Sequence, residues 1–146
     1  MDSRRFAALG VLTSAACGCA LADQAPRSAI KTETLVQSNS SWDASPYRAY
    51  PRGQPQITVL RIAIAAHTTA EWHSHPMPNA AYIISGELTL EKKDGTEKHF
   101  VAGQALTELV DRTHRGLTGD APAVLIVFYA GTAGLPLSEA RSELPE

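Results

Sequence analysis

The stretch Glu87-Leu88-Thr89-Leu90-Glu91-Lys92-Lys93-Asp94-Gly95-Thr96-Glu97-Lys98-His99-Phe100-Val101 has the form of a β-hairpin. Leu88 and Leu90 alternate with Glu87, Thr89 and Glu91, so one face of the first arm is apolar and the other polar, as in a half-buried strand. Lys92-Lys93-Asp94-Gly95 supplies the reversal, because Asp-Gly accepts the tight geometry of a two-strand turn, and residues 97–101 form the return strand.

Strand signals continue on both sides of this hairpin. Upstream, residues 57–64 are apolar and β-branched, with Thr58, Leu60, Ile62 and Ile64 on one face, and residues 81–84 form a second short run. Downstream, residues 105–110 and 123–130 complete the series. No segment longer than a turn or two has a helical period. Many short strands separated by turn residues specify an all-β sandwich or barrel.

The flanks read differently. Residues 1–22 have the pattern of a secretory leader: Arg4 and Arg5, an apolar run from Phe6 to Ala16, and Ala20-Leu21-Ala22 as a small-x-small cleavage site. The run is broken by Thr13, Ser14 and Gly18 and falls short of the roughly 20 apolar residues of a membrane span. The expectation is therefore a periplasmic or secreted protein. A lipoprotein is the lesser alternative, since Ser14 and Ala16 stand where the acylated cysteine's aliphatic neighbour belongs. Both cysteines, Cys17 and Cys19, fall in this leader, so no disulfide is expected after cleavage. Residues 23–55, rich in Ser, Gln, Asn and Pro, read as an extended N-terminal arm. Residues 31–36 are expected to add a short strand, and Trp42, Tyr47 and Tyr50 to pin the arm down. Residues 131–146 read as a C-terminal strap or frayed tail, leaving 56–130 for the barrel.

A chain of 146 residues suits a single domain, and its net charge of −2 excludes an evident nucleic-acid surface. Removing Arg4, Arg5 and Asp2 with the leader shifts that charge only to −3. The arm offers a means of pairing across a homodimer.

His73-Ser74-His75 carries the chemistry. Side chains at i and i+2 of a strand share a face, so both imidazoles can converge on one ion, and His114 follows behind a later strand. Gly86 lies eleven residues beyond His75, and a second block runs from Gly103 to His114. In these residues the chain resembles the cupin superfamily, whose motifs read G-x5-H-x-H-x3,4-E-x6-G and G-x5-P-x-G-x2-H-x3-N, and in particular its small single-domain, conserved-barrel members. His73, His75 and Gly86 fill the first motif; Gly103 and His114 fill the second. The resemblance implies a jelly-roll β-barrel holding a divalent transition metal (Fe, Mn, Ni, Cu or Zn) through His73, His75 and His114.

The departures from the pattern are specific. His67 replaces the first glycine, Asn79 the glutamate, and Leu109, Asp111 and Thr118 the Pro, Gly and Asn of the second motif. His67 and Asp111 fall at predicted turns, where His and Asp tolerate left-handed backbone. Asn79 leaves a neutral amide oxygen as the fourth ligand and one less charge to offset the cation. Glu108 interrupts an apolar strand six positions before His114. Alternation groups it with Leu106 and Val110 and favours the inner face, where it would serve as a replacement ligand or as a catalytic general base on water. Facing outward, it would be a solvated edge residue.

Trp72, Met77, Tyr82 and Phe128 are candidates for an apolar pocket wall, with plain core packing as the alternative. Arg112 and Arg115 flank His114 and could hold a carboxylate. His67 and His99 lack ligand spacing.

The resulting expectation is an exported small cupin acting on a small molecule as a metal-dependent oxygenase or isomerase. Its alternatives are a non-catalytic metal- or ligand-binding barrel and a metal-free module in which the histidines merely fill the interior.

Overall fold

The computed structural model describes residues 30–141. The leader 1–22, the first part of the arm and residues 142–146 lie outside the described residues. The chain divides into two units, Met1–Thr32 and Glu33–Glu146, and the second holds all the described strands. No helix among the described residues is long and apolar enough to cross a membrane.

The strands are β1 (Pro55–Ile64), β2 (His73–Ser74), β3 (Asn79–Ser85), β4 (Glu87–Lys92), β5 (Glu97–Val101), β6 (Ala105–Thr107), β7 (His114–Leu117), β8 (Ala123–Thr132) and β9 (Glu139–Ala140). They form a four-stranded sheet in the order β1-β8-β3-β6 and a five-stranded sheet in the order β5-β4-β7-β2-β9, with antiparallel pairing throughout. This is the all-β jelly-roll expected from the sequence. The inward residues of both sheets, among them Ile83, Leu88, Leu90, Phe100, Leu106, Leu125 and Val127, make one apolar core. Burying such side chains contributes about 1.5–3 kcal/mol each, the main source of stability in a domain without a disulfide.

Several local conformations explain the departures from the motifs. His67 and Asp111 take φ of 53° and 55°, so the left-handed turns persist where the family has glycine. Gly86 admits no replacement: its φ is 74°, and a Cβ there would meet the Pro122 carbonyl oxygen at 1.9 Å. Thr118 ties its strand to the 65–68 turn, donating from Oγ1 to the Ala65 carbonyl at 2.6 Å and accepting from the Thr68 N–H at 3.0 Å.

The arm is held at its middle. Ser40 pairs with Pro46, the Trp42 N–H donates to Thr107, the Thr107 hydroxyl donates to the Ser40 carbonyl, and the Tyr47 hydroxyl donates to the Glu108 carbonyl at 2.7 Å. Asp43 adds an ion pair to Lys92 at 3.2 Å. Burial opposes ionisation of Asp43, but the Ser41 hydroxyl, the Ser45 N–H and Lys92 outweigh it and hold the carboxyl far below its usual range. Two expectations for the arm fail. Residues 31–36 form no strand, and Tyr50 is 73% exposed and pins nothing. The predicted strand 105–110 also stops early, at Thr107, where the chain turns to bury both Glu108 and Leu109.

Candidate metal centre

The five-stranded sheet brings the three histidines together. His73 and His114 are direct register partners across β2 and β7, while His75, just past β2, forms an isolated parallel bridge with Val110. Ser74 between them points the other way and accepts a hydrogen bond from Arg141 Nε at 2.8 Å. The imidazole centroids lie 5.0 Å (His73–His75), 4.6 Å (His73–His114) and 5.2 Å (His75–His114) apart. One nitrogen of each lies within 4.8 Å of the others.

The tautomers follow from the remaining nitrogens. His73 Nδ1 is 2.8 Å from the Glu71 carbonyl, His75 Nδ1 2.7 Å from Leu137 and His114 Nδ1 3.0 Å from Arg112. A carbonyl only accepts, so each Nδ1 carries the hydrogen and each Nε2 is the metal-facing atom. Three oriented rings offering Nε2 lone pairs fit a first-row divalent cation, and three protein ligands leave coordination positions open on such an ion. His114 Nε2, wholly buried, has no hydrogen-bond partner.

Glu108 is buried beside the histidines, although the strand from which its parity was read ends at Thr107. Its Oε2 is 3.2 Å from His114 Nε2, close enough for strong attraction but out of line for a hydrogen bond, and it too has no hydrogen-bond partner. Burial pushes both groups toward neutrality. The opposite charge across 3.2 Å prevails, holding Glu108 below and His114 above their ordinary values in the metal-free protein. His73 and His75 are pushed below 6.5, chiefly by burial.

Asn79 is buried on the opposing sheet. Its Nδ2 donates only a long hydrogen bond, 3.5 Å, to the Met77 carbonyl, and its Oδ1 has no partner. Tyr129 packs edge-on against His75 at 5.7 Å, and burial with Glu108 nearby raises its phenol to about 12, so it remains a hydrogen-bond donor at neutral pH.

Among the remaining candidates, Met77 is wholly buried in the core, whereas Tyr82 and Phe128 are 37% and 39% exposed and belong to the outer face, so they are not pocket walls. Trp72 lies under the Arg115 guanidinium at 4.2 Å, and Arg115 is bound to Glu91 at 2.7 Å, so neither is free to hold a ligand. Arg112 borders a surface cavity of about 570 Å³ with Arg48, which none of the three histidines lines. His67 and His99 are surface residues, near Asp120 and Glu87 respectively.

The cupin domain family model matches residues 60–129. A search of curated proteins gave no match. Among solved structures, the chain is similar to the DMSP lyase DddQ from Ruegeria pomeroyi DSS-3, with a TM-score of 0.54 and 16% identity over 70% of this chain and 49% of that one, so it spans about half of that enzyme. It is also similar to a conserved protein with a double-stranded β-helix domain from Klebsiella pneumoniae (TM-score 0.51, 18% identity, 66% of this chain and 87% of that one). A third is a cupin-like protein from Thermotoga maritima (TM-score 0.51, 13% identity, 62% and 68%). At such identities these likenesses bear on fold. With the family match and the two-sheet architecture in agreement, residues 60–129 have the all-β fold of a small cupin domain.

Proposed function

We propose that this cupin binds one divalent transition metal through Nε2 of His73, His75 and His114 and catalyses a metal-dependent proton shift, of isomerase type, on a small molecule. The observation that carries the reading is the set of three Nδ1 contacts to backbone carbonyls, which fix all three rings in the ligating tautomer. A bound cation would supply Lewis acidity. His114 ligates as the neutral ring, and Glu108 is then a buried carboxylate beside the site, suited to accept a substrate proton. The Asn79 amide oxygen is the available weak fourth ligand.

The test is metal analysis of the full chain beside His75→Ala and His114→Ala. We expect about one equivalent in the wild type and loss in both variants; unchanged content in both rejects the assignment. Solvent-deuterium exchange into a panel of small oxo and hydroxy acids then reads the proton shift. Oxygen uptake by the iron-loaded protein would instead favour an oxygenase, and inactivity with tight binding would favour a binder, the reading to which the neutral Asn79 lends support. We also propose export, checked by the mass of the mature protein, which should begin at Asp23.

A further inference from the structure

The four-stranded sheet turns one rung of polar side chains toward the histidines. Thr58, Tyr129 and Asn79 are register partners across β1, β8 and β3, and the Glu108 N–H donates to the Asn79 carbonyl at 3.0 Å. Tyr129, Asn79 and Glu108 therefore follow one another along a single line on the inner face of an otherwise apolar wall. Each has a polar atom to spare. Asn79 Oδ1 and Glu108 Oε2 are buried without a hydrogen-bond partner. Tyr129 is 5% exposed overall, yet its hydroxyl has no hydrogen bond among the described residues and is not one of the wholly sealed atoms. Buried tyrosine hydroxyls ordinarily find a partner.

We propose that Tyr129, Asn79 and Glu108 form the substrate wall of the metal centre, and that the substrate is a small oxygen-chelating monoanion whose oxygen accepts a hydrogen bond from the Tyr129 hydroxyl. The inference rests on the metal reading above. Three neutral imidazoles leave the cation's charge intact and Glu108 offsets half of it, so a monoanion completes neutrality in a site largely removed from water. A donor, an amide and a carboxylate in one row suit an oxo or hydroxy acid, and they disfavour a purely apolar ligand.

Acetohydroxamate, a chelating monoanion, is the probe. The full chain is loaded with cobalt(II), its visible bands are titrated with acetohydroxamate, and Tyr129→Phe is compared with the wild type. Because the substitution removes only the hydroxyl, we expect unchanged cobalt stoichiometry and about tenfold weaker acetohydroxamate binding. Equal affinity in the two proteins overturns the assignment of Tyr129 while leaving the metal centre standing, as does a wild type whose bands acetohydroxamate leaves unmoved. Loss of cobalt from the variant overturns it in favour of a structural role. If the wild type binds no cobalt, the metal reading fails and this one with it.

Discussion

At the scale of residues, the buried Glu108–His114 pair gives the metal-free protein a defined pH signature. Glu108 is lowered, so its contribution is present at neutral pH and is lost as the pH falls through its folded value. His114 is raised, so its contribution is full below 6.5 and is lost as the pH rises through its folded value. The pair therefore stabilises on the acid side of neutrality. His73 and His75 act in the opposite sense: they are lowered, and stability falls below 6.5 as the unfolded chain takes up protons they refuse. Glu108→Gln should cost the metal-free protein on the order of 2 kcal/mol at pH 5.5 and much less at pH 8.5, measured by urea unfolding. An equal loss at both values would show that Glu108 acts by packing rather than charge. The positions of the histidines were legible because motif spacing survives substitution, and His67 and Asp111 were legible as turn residues able to take positive φ. Tyr129 was not. Residues 123–130 are apolar on both faces, so alternation did not reveal that Tyr129, rather than Phe128, points inward.

At the scale of elements, residues 137–141 pack along β2 and hold one of the histidine rings. β9 pairs with β2, the Arg141 N–H donates to the Trp72 carbonyl, and Leu137 receives the His75 Nδ1–H. Ending the chain before Leu137 removes the acceptor that orients His75 and the strand that covers Ser74. Loss of such an outer partner typically weakens a metal site 10–100-fold. We expect a weakening of about that size in zinc competition against a chromophoric chelator, with the β-sheet circular dichroism retained; an unchanged affinity would leave the strap a mere cover. β2, β7 and β9 span four residues or fewer, too short to show any period, so they were legible only as a spacing of histidines and an unresolved choice between strap and tail. β4 was legible because its apolar Leu88 and Leu90 alternate with polar residues, and β1 and β8 because they are long apolar, β-branched runs.

At the scale of the whole molecule, the site joins parts of the chain that come from both sheets. His73 and His75 lie far in sequence from His114, and Asn79 and Glu108 face them from the other sheet, so an ion at the centre would cross-link distant strands. Binding to the folded state alone stabilises it by about 4 kcal/mol when free metal exceeds the dissociation constant a thousandfold. For a domain of this size that corresponds to a melting temperature higher by about 10 °C or more. Stripping with a strong chelator should therefore lower the melting temperature of the wild type by that order, and zinc should restore it. His114→Ala, lacking one ligand, should melt at a temperature the chelator barely moves. A metal-free module, in which the histidines only fill the barrel, makes the contrary prediction: chelator and zinc leave both proteins unchanged. Differential scanning calorimetry of the two proteins, each with and without chelator, separates these outcomes because the binding contribution depends on metal concentration whereas core packing does not.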